Sequence, residues 1–151
     1  MAKYDRPGWL TRNLFNRAVA VATRAGVSIW GSRELRVRGR RSGQMRSTPV
    51  NLLSLDGQRY LVAPRGETEW VRNLRAAGEG ELRVGRSVEP FRATELGDED
   101  KPPVLRAYLR RWSFEVGAFF DGVTAEAPDA DVARIAADHP VFRISSAPGA
   151  P

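Results

Sequence analysis

The chain of 151 residues contains no cysteine. Disulfides, thiolate metal centres and a nucleophilic thiol are therefore excluded. Histidine occurs once, at His139, so neither a histidine metal cluster nor the usual serine triad can be assembled. Lysine is nearly absent too; apart from Lys3 and Lys101, every basic side chain is an arginine. No run approaches the roughly 20 apolar residues that a membrane-spanning helix needs. The first residues also lack the continuous apolar core of a secretory signal. A cytoplasmic protein is expected. If it is an enzyme, its difficult chemistry comes from a bound cofactor rather than from its own side chains.

What is present is ordinary globular composition with uneven charge. The apolar fraction is 42% and the charged fraction 28%, enough for one domain with a single sizeable core. The net charge of +6 resides in the first two thirds of the chain, while residues 93–151 carry an acidic balance. Its densest part runs from Arg33 to Arg46, where Arg33, Arg36, Arg38, Arg40, Arg41 and Arg46 are opposed only by Glu34. Arginine forks suit bidentate contacts to phosphate or carboxylate. A nucleic-acid partner is not expected, because no recognition-helix motif is present and aromatics are not interleaved with the basic stretch.

Residues 1–30 divide into a short lead-in and a helix predicted from Trp9 to about Ala25, with Leu10, Leu14, Ala18 and Val21 at helical spacing. That helix either packs on the domain or lies, through its arginines, on an anionic membrane face or a partner subunit. Strands are predicted around Leu35 and Val37, over Ser47 to Leu55, Gln58 to Ala63, Glu81 to Val84, Val88 to Leu96 and Val141 to Ile144. Asp56-Gly57 and Gly85-Arg86 read as hairpin turns. Helices are expected from a Thr68 cap to Ala77-Gly78, from Pro102 towards Phe120, and from Asp129 or Asp131 to His139-Pro140. The chain is thus an α+β protein, and so many antiparallel strands in so short a length favour a barrel over residues 31–145. Residues 146–151 are expected to form a disordered tail.

Three constellations could carry chemistry. The first is Arg38-Gly39-Arg40-Arg41-Ser42-Gly43-Gln44-Met45-Arg46, whose glycines let backbone amides approach an anion beside guanidinium forks. A solvated basic hairpin is the alternative. The second runs from Ala63-Pro64-Arg65-Gly66 into Trp70-Val71-Arg72-Asn73-Leu74, a cationic loop entering a helix start. Trp70 and Leu74 share a face that equally suits the core. The third is the aromatic series Tyr108, Trp112, Phe114, Phe119 and Phe120, which is either a core stripe or a substrate cover. His139 reads as a helix-terminus residue, and Asp98-Glu99-Asp100 as a solvated cap rather than an acid pair.

In order and spacing, Gly39 through Pro49, Arg65-Gly66 and Trp70-Val71-Arg72-Asn73-Leu74 resemble the deazaflavin (coenzyme F420)-dependent nitroreductase and quinone reductase family, found mainly in actinobacteria. The resemblance implies a split β-barrel like that of flavin-binding oxidases, and transfer of a hydride to a small electron-poor acceptor such as a quinone, nitro compound or activated enone. It implies that Arg41 and Arg46, with Ser42 and Gly43 beside them, hold the phosphate and acidic tail of the 8-hydroxy-5-deazaflavin coenzyme. Ser47, Thr48 and Pro49 would line the ring through their backbone. Ala63, Pro64, Arg65 and Gly66 would form the facing loop, with Trp70 and Asn73 supporting it and Tyr108 donating to the acceptor. Met45 stands where the family often has proline, and Pro64, which has no N–H to donate, stands where serine is common. The alternatives on the same barrel are a flavin mononucleotide enzyme and a coenzyme-binding protein without turnover. A homodimer is the expected assembly.

Overall fold

Alternation of arginine with apolar side chains makes Ser32–Arg38 the first strand, β1, and Met45–Leu55, exposed at its start and half-buried further on, is the second, β2. The computed structural model describes residues 32–147, with residues 113–116 described by backbone alone. The helix expected over residues 9–25 and the end of the tail, from residue 148, lie outside the described residues. After β2, the Asp56-Gly57 turn leads into β3, Gln58–Val62. Helix α1, Glu69–Ala77, then connects to the β4–β5 hairpin, Glu79–Val84 and Ser87–Glu95. Helices α2, Pro102–Val116, and α3, Asp129–Ala136, precede the last strand, β6, Val141–Ser146. All pairings are antiparallel and close a barrel in the order β1-β2-β3-β6-β5-β4.

The elements fall close to their expected places, with three differences. β6 continues through Ser146, because Arg92 pairs with Ser145 and Phe91 with Ser146, so the start of the expected tail is sheet. α2 leaves helical geometry at Trp112 (φ −125°, ψ 17°) and ends at Val116 rather than near Phe120; a short 3₁₀ turn, Gly117–Phe119, returns Phe119 and Phe120 to the core. α3 is preceded by Pro128, and Asp129 in its first turn accepts from Arg106 Nη2 at 2.6 Å instead of capping the helix.

Burial divides into two apolar clusters. One fills the barrel, from Leu35 and Val37 through Leu61, Leu82 and Phe91 to Phe142 and Ile144, and is closed at one end by Val71 and Leu74 of α1. The other lies outside the sheet, where Leu53 and Val62 meet Leu105, Leu109 and Trp112 of α2 and Val132 and Ile135 of α3. Hydrophobic burial on both faces of β2 and β3 therefore fixes their register, because a one-residue slip would exchange the two sets.

The barrel's tightest approach is at Gly80, where an added Cβ would lie 2.9 Å from the Arg36 carbonyl oxygen and 3.0 Å from Phe91 Cζ. Backbone cannot give way there, so Gly80→Ala should cost about 1–3 kcal/mol through overpacking. Gly117, with nothing within 4 Å of its Cβ position, should tolerate alanine. Urea denaturation of the two variants checks the contrast; equal midpoints would contradict the packing described.

Candidate functional site

The longest strand and the shortest lie side by side. β2 has 11 residues and β3 has 5. β3 pairs with β2 only from Leu52 to Leu55, while β1 pairs with β2 from Met45 to Asn51. Among the described residues, no strand follows β2 over Met45–Asn51 on its β3 side. A row of backbone N–H and C=O groups is left facing the chain that departs from β3 at Ala63, a notch in the barrel wall. Pro49 sits in this stretch, where a missing N–H breaks no ladder bond on the open side. Met45, Arg46 and Ser47 are exposed and Thr48 and Pro49 half-buried.

The mouth of the notch is the β1–β2 hairpin. Its turn is closed by Gly39 N–H to the Gln44 carbonyl (2.7 Å) and Gly43 N–H to the Gly39 carbonyl (2.9 Å). Gly43 has φ 75°, which favours glycine, and a Cβ at Gly39 would be crowded by Ser42 Oγ at 2.9 Å and the Gln44 carbonyl oxygen at 3.2 Å. The arginines here divide by role. Arg38 Nη1 donates to the Gly43 carbonyl (2.8 Å). Arg40 donates to Asn73 Oδ1 of α1 twice, from its backbone N–H (3.1 Å) and from Nη1 (2.7 Å), and pairs with Glu69 at 3.4 Å. Arg40 thus ties hairpin to helix, and its hydrogen bond and charge hold the Glu69 carboxyl below the usual carboxylate range. Arg41 and Arg46 remain exposed at the mouth, with Ser42 and Gly43 between them.

The opposite wall is the turn Ala63–Gly66. Ala63 N–H donates to the Pro140 carbonyl (2.9 Å), which prolongs the β3–β6 ladder by one bond, and Gly66 N–H donates to the Ala63 carbonyl (3.2 Å). Gly66 has φ 84°. The Arg65 guanidinium lies over the Phe119 ring, 5.7 Å from its centroid. Just beyond the turn, Glu67 and Glu95 converge on Arg75, with four contacts of 2.7 to 2.8 Å, so the exit from the turn is clamped to α1 and β5. Those bonds hold Glu67 below its ordinary range. Thr68 precedes α1 as expected, yet its hydroxyl caps nothing; Oγ1 is buried with no hydrogen-bond partner.

Most residues singled out by sequence lie on the elements that border this notch: Arg41, Ser42, Gly43 and Arg46 on the hairpin, Ser47, Thr48 and Pro49 on the open edge, and Ala63, Pro64, Arg65 and Gly66 on the turn after β3. Trp70 is half-buried against Phe142 (6.1 Å between rings), and Asn73 is 5% exposed beneath the hairpin. Tyr108 is not brought to the open surface. It is 2% exposed in the helical core, 5.0 Å from the Trp112 ring and 6.3 Å from Phe120, which fits a core stripe rather than a donor facing an acceptor. Sequence reasoning missed the anchoring roles of Arg40 and Glu69. Nothing in the spacing separates Arg40 from Arg41; the alternation of sides across a tight turn does. Among the described residues, no cluster of His, Asp and Glu could hold a metal ion. No helix there is long and apolar enough to cross a membrane.

Solved structures share this architecture. A chain described as a domain-swapped dimer superposes with a TM-score of 0.56 at 18% identity, covering 89% of this chain and 96% of that one. A chain described as an F420-H2 dependent reductase gives 0.54 at 17% identity, covering 76% and 94%. General Stress Protein 26 from Bacillus anthracis str. Sterne gives 0.51 at 11% identity, covering 86% and 87%. At such identities these likenesses speak for the split-barrel fold alone. A search of curated protein sequences returned no match. The model of one family, F420H(2)-dependent quinone reductase, matches residues 12–119, a span that holds the hairpin, the open edge, the facing turn and α1. The chain belongs to that family, and is an oxidoreductase whose cofactor is coenzyme F420.

Proposed function

We propose that the notch between β2 and the Ala63–Gly66 turn is the coenzyme groove, and that the acceptor reduced there is an electron-poor small molecule: a quinone, a nitro compound or an activated enone. The observation that carries this reading is the one-sided edge Met45–Asn51, which ends in two uncommitted arginines. A flat heteroaromatic ring with polar edges can bond such an edge as a further strand would. A phosphate and acidic tail needs cations whose forks are not spent internally, and Arg41 and Arg46 meet that condition where Arg38 and Arg40 do not. The residues present therefore fit the group.

When bound, the reduced deazaflavin supplies a hydride to an electron-poor carbon or nitrogen. The chain's own part is positional. Arg41 and Arg46 hold the anionic end; Asn73, through Arg40, keeps the hairpin in register with α1. The β2 edge and the opposing turn, clamped by Glu67 and Arg75, set the width of the groove. Pro64 leaves that turn one N–H short, so ring contacts come from the β2 side. Assembly as a homodimer, a cytoplasmic location and a peripheral membrane contact through residues 9–25 belong to the same reading. Light scattering and vesicle co-sedimentation test the first and the last.

Reversing both mouth charges, with Arg41→Glu and Arg46→Glu, should weaken coenzyme affinity by more than about 100-fold, since each charge-assisted contact contributes about 1.5–3 kcal/mol. The melting temperature should stay unchanged, because both side chains are exposed. Fluorescence titration with coenzyme F420 measures the first and thermal denaturation the second; unaltered affinity in the double variant would remove the groove from this place.

Asn73→Ala leaves the Arg40 N–H without its acceptor. It should lower stability by about 1–2 kcal/mol and coenzyme affinity by about tenfold. An acceptor panel of a quinone, a nitroaromatic and an enone, followed by loss of reduced coenzyme, tests the reaction class. Binding without turnover across the panel would favour a coenzyme carrier instead.

A further inference from the structure

The only histidine lies where an ordinary core would place an apolar ring. His139 follows α3 and is 1% exposed. One face of its imidazole is stacked on Phe120, with centroids 4.1 Å apart and planes inclined by 22°. Nδ1 lies 3.3 Å from the Ala63 carbonyl oxygen. Nε2 is buried with no hydrogen-bond partner. The next residue, Pro140, accepts the Ala63 N–H. Both polar groups of Ala63 are thus held by the His139-Pro140 dipeptide, and the same Ala63 carbonyl closes the turn by accepting from Gly66.

This arrangement has a definite protonation state. A carbonyl can only accept, so Nδ1 carries the hydrogen and Nε2 is bare. Burial, the largest influence, pushes the ring's pKa below the ordinary imidazole value, against the Ala63 bond, Asp138 and the Pro64 backbone, which favour the charged ring. Lys101, from the turn before α2, disfavours it. Lys101 is itself buried, with Nζ donating to the Ala136 carbonyl (2.8 Å) and pairing with Asp98 (2.7 Å). From α2, Tyr108 packs beyond Phe120. A proton added at Nε2 would place a cation in a buried site near Lys101.

We propose that His139 is a positioning residue of the coenzyme groove: its neutral ring fixes the Ala63–Gly66 turn, and taking up a proton on acidification loosens that turn and weakens coenzyme binding. The inference rests on reading this turn as the groove's second wall. The direction follows from linkage. Because the folded-state pKa is depressed, the contribution to stability is complete above the ordinary imidazole pKa, and falls away as pH drops through it towards the folded-state value. Glu67, which clamps the exit from the turn, titrates below the usual carboxylate range and so lies outside this window.

The test compares wild type with His139→Asn, whose amide can donate to the Ala63 carbonyl but does not titrate, and with His139→Phe, which keeps the stack and loses the donor. Coenzyme F420 affinity is measured by fluorescence between about pH 7.5 and about pH 5. In parallel, hydrogen exchange of the Gly66 amide is followed by NMR without coenzyme and corrected for the intrinsic pH dependence of exchange. Wild type should lose affinity by about tenfold and Gly66 protection by a similar factor on acidification. His139→Asn should match wild type at neutral pH and stay level, while His139→Phe should be weak and level throughout. A wild-type acid response that persists in His139→Asn, or Gly66 protection insensitive to pH in wild type, overturns the positioning role. Failure of wild type to bind coenzyme at neutral pH overturns the reading of the groove instead, and the exchange data still decide the role of His139.

Discussion

The site depends on a mismatch in strand length. β3 stops at Val62, while β2 extends seven residues beyond its pairing with β3, from Asn51 back to Met45. Backbone polar groups require partners, and an antiparallel sheet normally supplies them from both sides. Here the closed barrel withholds one neighbour over a defined length, and the chain that could have continued β3 turns away at Ala63. Arginine accompanies the exposed edge, and charged side chains are one way in which edges are ordinarily kept from aggregating. The edge is long enough for one ring system.

Electrostatics then sorts chemically identical side chains. Arg38 and Arg40 are consumed in building the hairpin, whereas Arg41 and Arg46 stay outside it. The division follows from geometry: the chain reverses between Gly39 and Gly43, and successive residues leave the turn in different directions. Asn73 and Glu69 complete the selection by presenting acceptors to one arginine only. Opposite, Arg75 gathers two carboxylates around the exit of the facing turn. Both walls are therefore braced by ion pairs to α1, so that the groove is shaped before a ligand arrives.

Much of this was legible in the sequence. Asp56-Gly57 and Gly85-Arg86 marked two hairpins because only certain residues accept the turn geometry, and Ala77-Gly78 marked the end of α1 at φ 72°. The spacing of the arginine hairpin, Arg65-Gly66 and Trp70 to Leu74 led to the expectation of one coenzyme groove, which is the reading proposed above. Long-range pairing was not legible. Nothing local told that Ser145 and Ser146 would be held by Arg92 and Phe91, nor that Arg40 and Asn73, 33 residues apart, would meet. Tyr108 could be read either way, because an aromatic in a helical stripe has the same spacing whether it faces a ligand or a core; its 2% exposure fits the core. His139 was read as a helix-terminus residue; it lies three residues past the end of α3, and the carbonyl that it reaches comes from residue 63.

The sheet separates two packing compartments, and neighbouring residues serve different ones: Val62 belongs to the helical cluster and Ala63 to the barrel interior. Substitutions in well-separated compartments combine almost additively. Change can therefore accumulate among α2, α3 and the aromatic stripe while the barrel and its arginine mouth stay constant. In evolutionary terms the fold is modular at the scale of one peptide bond. The seam between the two compartments runs through the turn on which the single histidine rests, where its stack on Phe120 and its contact with Ala63 join them.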